Sequence, residues 1–101
     1  MTTRKGSTRA YLRGLAHHLK PIIFVGQQGI TKSFIEAVEH ALDAHELIKV
    51  RFNSFKDEKK ILAQEIAEQT QSELVGMIGH VAILYRAHPD ETQRTIQIPE
   101  E

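Results

Sequence analysis

The chain contains no cysteine and no tryptophan, and aromatic residues make up only 6% of it. Without cysteine, disulfide bonds and thiolate metal sites are excluded, and an intracellular protein is the natural expectation. No apolar run approaches the roughly 18 residues of a membrane-spanning helix, and no signal-peptide core follows the start. We therefore expect one cytoplasmic domain over residues 1–101, monomeric and without a cofactor or metal.

The most informative absence is that of negative charge at the start of the chain. Residues 1–35 contain no Asp or Glu, although the whole chain is neutral, with 13 basic and 13 acidic residues. Such an asymmetry indicates a polyanionic partner, and the alternative is a solvated basic face without one. The stretch carries six cations and two histidines: Arg4, Lys5, Arg9, Arg13, Lys20, Lys32, His17 and His18.

A short apolar run leads directly into a glycine motif. Ile22–Val25 predicts a strand buried on both faces, and Gly26-Gln27-Gln28-Gly29 follows it. Thr31 suits the N-cap of a helix that starts at Lys32. The free N–H groups and the positive end of that helix, beside a loop with little bulk, suit a phosphodiester. A plain strand-to-helix turn is the alternative, because G-x-x-G alone is a weak motif.

Upstream of this strand, the spacing predicts a helix that is capped by Ser7 or Thr8 and runs to about Leu19. One side of it is basic, because four residues fall within a narrow arc at about 100° per residue. We expect these side chains to contribute to phosphate binding without stabilising the fold. The predicted core face consists of Leu12, Leu15 and Leu19, and the basic stripe of Arg9, Arg13, His17 and Lys20.

The remaining periodicities complete an α/β domain. We predict helices from Lys32 to about His45 and from about Glu58 to Gln71, and strands at 47–52, 74–78 and 81–85. The order α-β-α-β-α-β-β implies a four-stranded mixed sheet with three helices in a single compact domain. Residues 1–7 read as a flexible basic tail and residues 88–101 as a polar C-terminal tail, with a possible edge strand at Ile96 and Ile98.

Four smaller expectations concern a turn, a glycine, a strand face and the aromatic residues. Gly79 and His80 suit a two-residue hairpin turn, and Gly76 a strand position where another backbone packs closely. Lys49 and Arg51 share one face of their strand, which fits either a nucleic-acid surface or an ordinary solvent face. Most aromatic residues occupy inward positions of the pattern, so we expect recognition of RNA shape and backbone with little reading of bases.

Four segments together resemble the YhbY-type CRM domain, named for chloroplast RNA splicing and ribosome maturation. They are Leu12–Pro21, Gly26–Thr31, His45–Val50 and Ile78–Arg86, in the family's order and spacing. The resemblance implies an RNA-binding fold similar to the C-terminal domain of initiation factor three, with a glycine loop that works like that of KH domains. Single-domain bacterial members associate with precursors of the large ribosomal subunit, which implies a role in ribosome assembly.

The resemblance and the charge pattern together define a predicted RNA site. Glutamines occupy both central loop positions, where the family often has a basic residue or Asn, so neighbouring cations would have to supply the charge. The predicted RNA-binding residues are Arg9, Arg13, His17, Lys20, Gly26, Gln27, Gln28, Gly29, Thr31 and Lys32.

Two other classes of function compete with RNA binding. An enzyme is not expected, because the chain lacks the H-E-x-x-H, G-x-S-x-G and G-K-[ST] motifs and its histidines do not pair on a helix face. A protein-interaction module that docks on a ribosomal protein is the stronger alternative. The salt dependence of affinity distinguishes this alternative from RNA binding, because phosphate contacts make affinity fall steeply as the salt concentration rises.

Overall fold

A computed structural model of the chain describes residues 6–98. Within this range the seven elements follow the predicted order, and none of the helices is both long and apolar enough to cross a membrane. Most of the predicted flexible tail, residues 1–5, lies outside the described range. The elements are α1 (Gly6–Ala16), β1 (Ile23–Val25), α2 (Lys32–His45), β2 (Leu47–Phe52), α3 (Lys59–Gln69), β3 (Glu73–Ile78) and β4 (Val81–Tyr85).

The four strands form one mixed sheet in the order β1-β2-β4-β3. β1 runs parallel to β2, and the other neighbours are antiparallel. This confirms the predicted fold class, but β1 is an edge strand, and its burial on both faces was a wrong expectation. Val25 is buried, whereas Phe24 is 50% exposed, because no helix within residues 6–98 covers the opposite face at this edge.

One face of the sheet packs against α2 and α3. Alternate residues of β2 point into this core, together with the inner faces of both helices. The predicted placement of Lys49 and Arg51 on one face of this strand is therefore confirmed. Burial of such side chains stabilises a fold by about 1.5–3 kcal/mol each. The buried members are Val25, Val38, Leu42, Ile48, Val50, Phe52, Ala63, Ile66, Ala67, Ala82 and Leu84.

The other face carries a smaller core under α1, which contains Leu12, Ala16, Leu47, Val75, Ile83 and Tyr85. α1 ends at Ala16 rather than near Leu19. At this end, the N–H of His17 donates to the carbonyls of both Arg13 and Gly14. The core face therefore consists of Leu12 and Ala16. Leu15 within the helix and Leu19 beyond its end are both exposed, so neither joins this core.

The segment after β4 is held on this second core by Glu46, which ends α2 in a left-handed conformation with φ 65°. Its buried carboxylate accepts from the N–H groups of His88, Thr95 and Ile96 at 2.7, 2.7 and 3.0 Å. Ile96 and Ile98 pack on the α1 core, but residues 94–98 form no strand, so the possible edge strand is absent from the described range.

Arg86 joins the end of β4 to α2 and α3. Its guanidinium donates to the carboxylates of Glu39 and Asp43 at 2.6 and 2.8 Å and to the carbonyl of Thr70 at 2.6 Å. The Arg86 side chain is largely buried, whereas both carboxylates remain partly exposed to solvent. These bonds are charge-assisted, which makes them stronger than neutral hydrogen bonds. The contacts fix the sheet against both helices at the end opposite the glycine loop, since β4 ends where β2 begins.

Candidate nucleic-acid interface

The glycine motif forms the turn between β1 and α2. The N–H of Gly29 donates to the carbonyl of Gly26 at 3.0 Å, and Gly29 has φ +71°, a conformation that favours glycine. Thr31 caps α2 as predicted, since its hydroxyl oxygen accepts from the N–H of Phe34 at 3.0 Å. The first N–H groups of a helix have no intrahelical partner, so this turn presents main-chain donors and a positive dipole end to an anion.

Phe55 supports this turn from the loop after β2. A Cβ on Gly29 would lie 3.4 Å from the Phe55 ring, so the ring packs directly on the glycine. Phe55 has φ 57°, which is rare for a bulky residue and costs about 1–2 kcal/mol. The ring is nevertheless 41% exposed. The sequence carried no signal for this contact, because it depends on two loops meeting at the same end of parallel strands.

A cluster of positive charge lies at the same end of the sheet, around the β3–β4 hairpin. The Nζ atom of Lys59 is 3.0 Å from Nδ1 of His80. The pKa of His80 is lowered, first by desolvation and then by the positive charges of Lys59, Lys56 and Arg51, with Asp57 opposing them. No carboxylate forms an ion pair with Arg51 in the described part of the chain.

These cations were not among the predicted site residues. From the sequence, Arg51 fitted either a nucleic-acid surface or an ordinary solvent face. Their proximity to each other arises from the pairing of β2 with β4 and from the hairpin, which has Gly79 at φ +59° as predicted. The alternation of Lys49 and Arg51 along β2 was the one signal available in the sequence.

Arg13 has a structural contact in addition to its predicted role. Its guanidinium donates to the carbonyl of Val75 at 3.3 Å, and its side chain lies over Gly76. A Cβ on Gly76 would lie 2.8 Å from Cδ of Arg13. The predicted close approach at Gly76 is therefore real, but it is made by a side chain and not by another backbone. Because this contact joins α1 to β3, we expect Arg13 to stabilise the fold.

The structure divides the predicted site into two groups. Gly26–Gly29, Thr31 and Lys32 follow the carboxyl end of β1. His17 and Lys20 are exposed and precede its amino end, while Arg9 is partly buried on α1.

Lys20 lines an apolar groove of about 610 Å³ that runs between α1 and the segment at 95–97. Its wall includes Leu15 and Leu19, which were predicted to be core residues but are exposed, together with Tyr11 and Ile22. With Tyr11, Phe24 and Phe55 exposed, half of the aromatic residues face solvent, so the expectation that most point inward was wrong.

The described residues contain no group of His, Asp and Glu side chains that could hold a metal ion. The site therefore consists of main-chain donors, cations and aromatic rings, which are groups that interact with phosphates and bases rather than with metals.

Comparison with known proteins places this arrangement in a family. A model of the CRS1/YhbY (CRM) domain matches residues 5–86. A protein of Haemophilus influenzae named as an RNA-binding protein is 38% identical over 100 residues, which cover 98% of each chain. A Bacillus subtilis protein named as a probable RNA-binding protein is 35% identical over 95 residues, or 93% of this chain and 97% of the relative.

A solved structure supports the same assignment. The solution structure of a hypothetical protein from Staphylococcus aureus, described as a candidate RNA-binding protein, superimposes with a TM-score of 0.78. It shares 38% sequence identity and the match covers 96% of this chain and 100% of that one.

Proposed function

The chain belongs to the CRS1/YhbY (CRM) domain family, and we propose that it binds ribosomal RNA in precursors of the large ribosomal subunit. In this proposal it acts as a cytoplasmic monomer that assists ribosome assembly and catalyses no reaction. The observation that carries the proposal is the Gly26–Gly29 turn, which opens onto the capped start of α2 beside cations. The names of the relatives support the choice of RNA as the polyanion.

The proposed contact is between an RNA phosphate and the main chain of the turn. The positive end of α2 carries about half an elementary charge, and Lys32 adds a full charge at the first helical position. Neutral Gln27 and Gln28 leave the turn without a cation of its own. Arg51, Lys56 and Lys59 supply positive charge from the neighbouring hairpin end of the sheet.

A double substitution tests this contact. Gln27→Asp with Gln28→Asp places two carboxylates where the phosphate would bind, so they compete for its donors and repel it. Acidic residues near a helix start are stabilising by about 0.3–1 kcal/mol, so the fold should survive. We expect binding to large-subunit ribosomal RNA fragments to fall at least tenfold at low salt, which is about 1.4 kcal/mol.

A matched control separates local from general charge effects. Gln64→Asp with Gln69→Asp makes the same charge change at exposed positions of α3, and it should leave affinity within about twofold, or roughly 0.4 kcal/mol. If the loop variant binds RNA as tightly as the parent while both variants remain folded by circular dichroism, the turn only connects β1 to α2.

A second candidate function, docking on a ribosomal protein, is favoured by the groove beside α1. Its wall contains exposed side chains that a core would normally bury, among them Leu15, Leu19 and Ile22. Leu15→Ser with Leu19→Ser should abolish docking of this kind while leaving binding to protein-free RNA intact. The second candidate would be favoured if this variant no longer associates with ribosomal precursor particles and if the parent's association with them is insensitive to salt.

A further inference from the structure

On one face of the sheet, α1 covers one end and leaves residues at the other end exposed. α1 packs on the half that contains Leu47, Ile83 and Tyr85. On the other half, towards the glycine turn, one residue of each strand forms a continuous row. Cross-strand pairing joins Phe24 to Arg51, Arg51 to Val81, and Val81 to Ile78. We refer to these four residues as the open row.

The open row combines apolar surface with charge of one sign. Phe24 is 50% exposed and Ile78 is 58% exposed, while Arg51 stands between them and is also exposed. Neighbouring strands lie about 4.8 Å apart, so Arg51 and Phe24 occupy adjacent positions on the same face of the sheet. Lys49 occupies the same face of β2, about 7 Å further along the strand.

The neighbours of the open row narrow the choice of ligand. The described residues that face this half of the sheet include no Asp or Glu. At one end, Phe24 is separated from the Gly26–Gly29 turn by a single residue, and at the other the row adjoins the hairpin that carries His80. Lys49 already donates to the carbonyl of Leu19 at 2.9 Å. An uncharged protein surface would bury the phenyl and the isoleucine, but it would leave the exposed guanidinium of Arg51 without an anionic partner.

A nucleic-acid strand satisfies all of these groups at once. Every base has a π-face that stacks on a phenyl ring, and the guanidinium of arginine adds a cation–π contact or binds a phosphate. The aliphatic side chains of Val81 and Ile78 add apolar surface beside the ring on the same face of the sheet. The positive charge of Arg51 then lies beside the phosphates of the same RNA strand.

We propose that the open row binds an unpaired stretch of RNA, with a base stacked on Phe24 and the adjoining backbone against Arg51. This inference rests on the proposed RNA binding and adds base stacking to the phosphate contact at the glycine turn. It replaces the expectation of shape recognition alone, because the aromatic ring that was assigned to the interior is in fact on the surface.

The test uses the full chain and two labelled probes, a 12-nucleotide oligouridine and a fully paired RNA hairpin, in fluorescence anisotropy titrations. Phe24→Leu keeps an apolar side chain but removes the ring, and it should weaken oligouridine binding about five- to tenfold, towards the low end of stacking contributions. Phe24→Tyr keeps a stacking ring and should stay within about twofold of the parent. Tyr11→Leu removes an exposed ring from the groove beside α1 and should change nothing.

The possible outcomes separate this inference from the proposed function. Loss of oligouridine binding in Phe24→Leu, with rescue by tyrosine and an unchanged melting temperature, supports the open row. If the parent binds the hairpin and oligouridine but Phe24→Leu binds both equally well, the inference fails while RNA binding stands. If the parent binds neither probe, the proposed function itself fails.

The same variants expose a protein partner at this surface. If Phe24→Leu retains full RNA affinity but no longer cosediments with ribosomal precursors, the open row docks protein, and the stacking inference is overturned. Photocrosslinking of 4-thiouridine in the oligonucleotide gives an independent readout, since the modified peptide should contain Phe24. A crosslink that maps only to the groove beside α1 also overturns the stacking inference.

Discussion

Replacing the buried carboxylate of Glu46 should release the segment that follows β4. Glu46 is only 2% exposed and accepts four hydrogen bonds, three from main-chain N–H groups and one from the hydroxyl of Thr95. Bonds to charged groups contribute about 1.5–3 kcal/mol each, so their sum sets an upper limit of roughly 6–12 kcal/mol. The real loss is smaller, because a released segment regains hydrogen bonds from water.

Glu46→Gln gives a sharper estimate than truncation. The glutamine oxygen can still accept from Thr95 and Ile96, but its NH₂ group then faces the N–H of His88, donor against donor. We expect a loss of about 2–3 kcal/mol in the free energy of unfolding. For a domain of this size, that corresponds to a melting temperature lower by roughly 10–20 °C.

The pH dependence gives a second signature of the same carboxylate. Burial alone would raise the pKa of Glu46, but the N–H groups of His88, Thr95 and Ile96 and the Thr95 hydroxyl hold it below its ordinary value of 4.5. A group with a depressed folded-state pKa adds stability that is complete above about pH 4.5 and is lost as pH falls through the folded value. The Gln variant should lack this component of acid destabilisation.

Urea unfolding at about pH 7 and about pH 3, with amide hydrogen exchange, measures both effects. Glu91→Gln is the control, because its carboxylate is exposed and reaches only Arg94, at 3.8 Å. It should change stability by less than about 0.5 kcal/mol. If Glu46→Gln unfolds like the parent, and the amides of Thr95 and Ile96 stay protected, Glu46 does not hold the segment and the reasoning is refuted.

Three further predictions follow from the contacts described above. Arg86→Ala should destabilise the fold by about 2–4 kcal/mol in urea unfolding, since it leaves Glu39 and Asp43 without their cation; an unchanged midpoint contradicts this. Arg13→Glu should reduce both RNA affinity and stability, the latter by about 1–2 kcal/mol, and an unchanged melting temperature would show that its contact with β3 is dispensable. NMR titration should give His80 a pKa below 6.5 in the free protein, and RNA should raise it because phosphate offsets the nearby cations; a pKa unmoved by RNA places the ligand elsewhere.

Elements that local chemistry determines were predictable to the residue. α2 begins after Thr31, whose hydroxyl caps it, and β2 follows the alternation of its buried residues. The end of α1 was not predictable in this way, because Leu19 continues the helical spacing of Leu12 and Leu15 beyond Ala16, the last helical residue. Where the chain turns is decided by the packing of Leu12 and Ala16 on the sheet, which is a tertiary contact.

The same distinction applies to the site. The glycine turn was visible because its residues are contiguous, whereas Phe55 and His80 reach the same end of the sheet only through strand pairing. Phe24 was assigned to the interior because a short apolar run has the same pattern in a central strand and in a half-covered edge strand. The hydrogen-bond partners of Glu46 lie more than 40 residues away along the chain, so no local sequence pattern reveals them.

The salt dependence of RNA binding by the unmodified chain tests the central claim most directly. Affinity for a large-subunit ribosomal RNA fragment should be measured between about 50 and 200 mM salt. With four phosphate contacts, at the glycine turn and the neighbouring cations, we expect the dissociation constant to rise roughly 100-fold across this range. An affinity that is absent at low salt, or that stays flat across the range, contradicts the account.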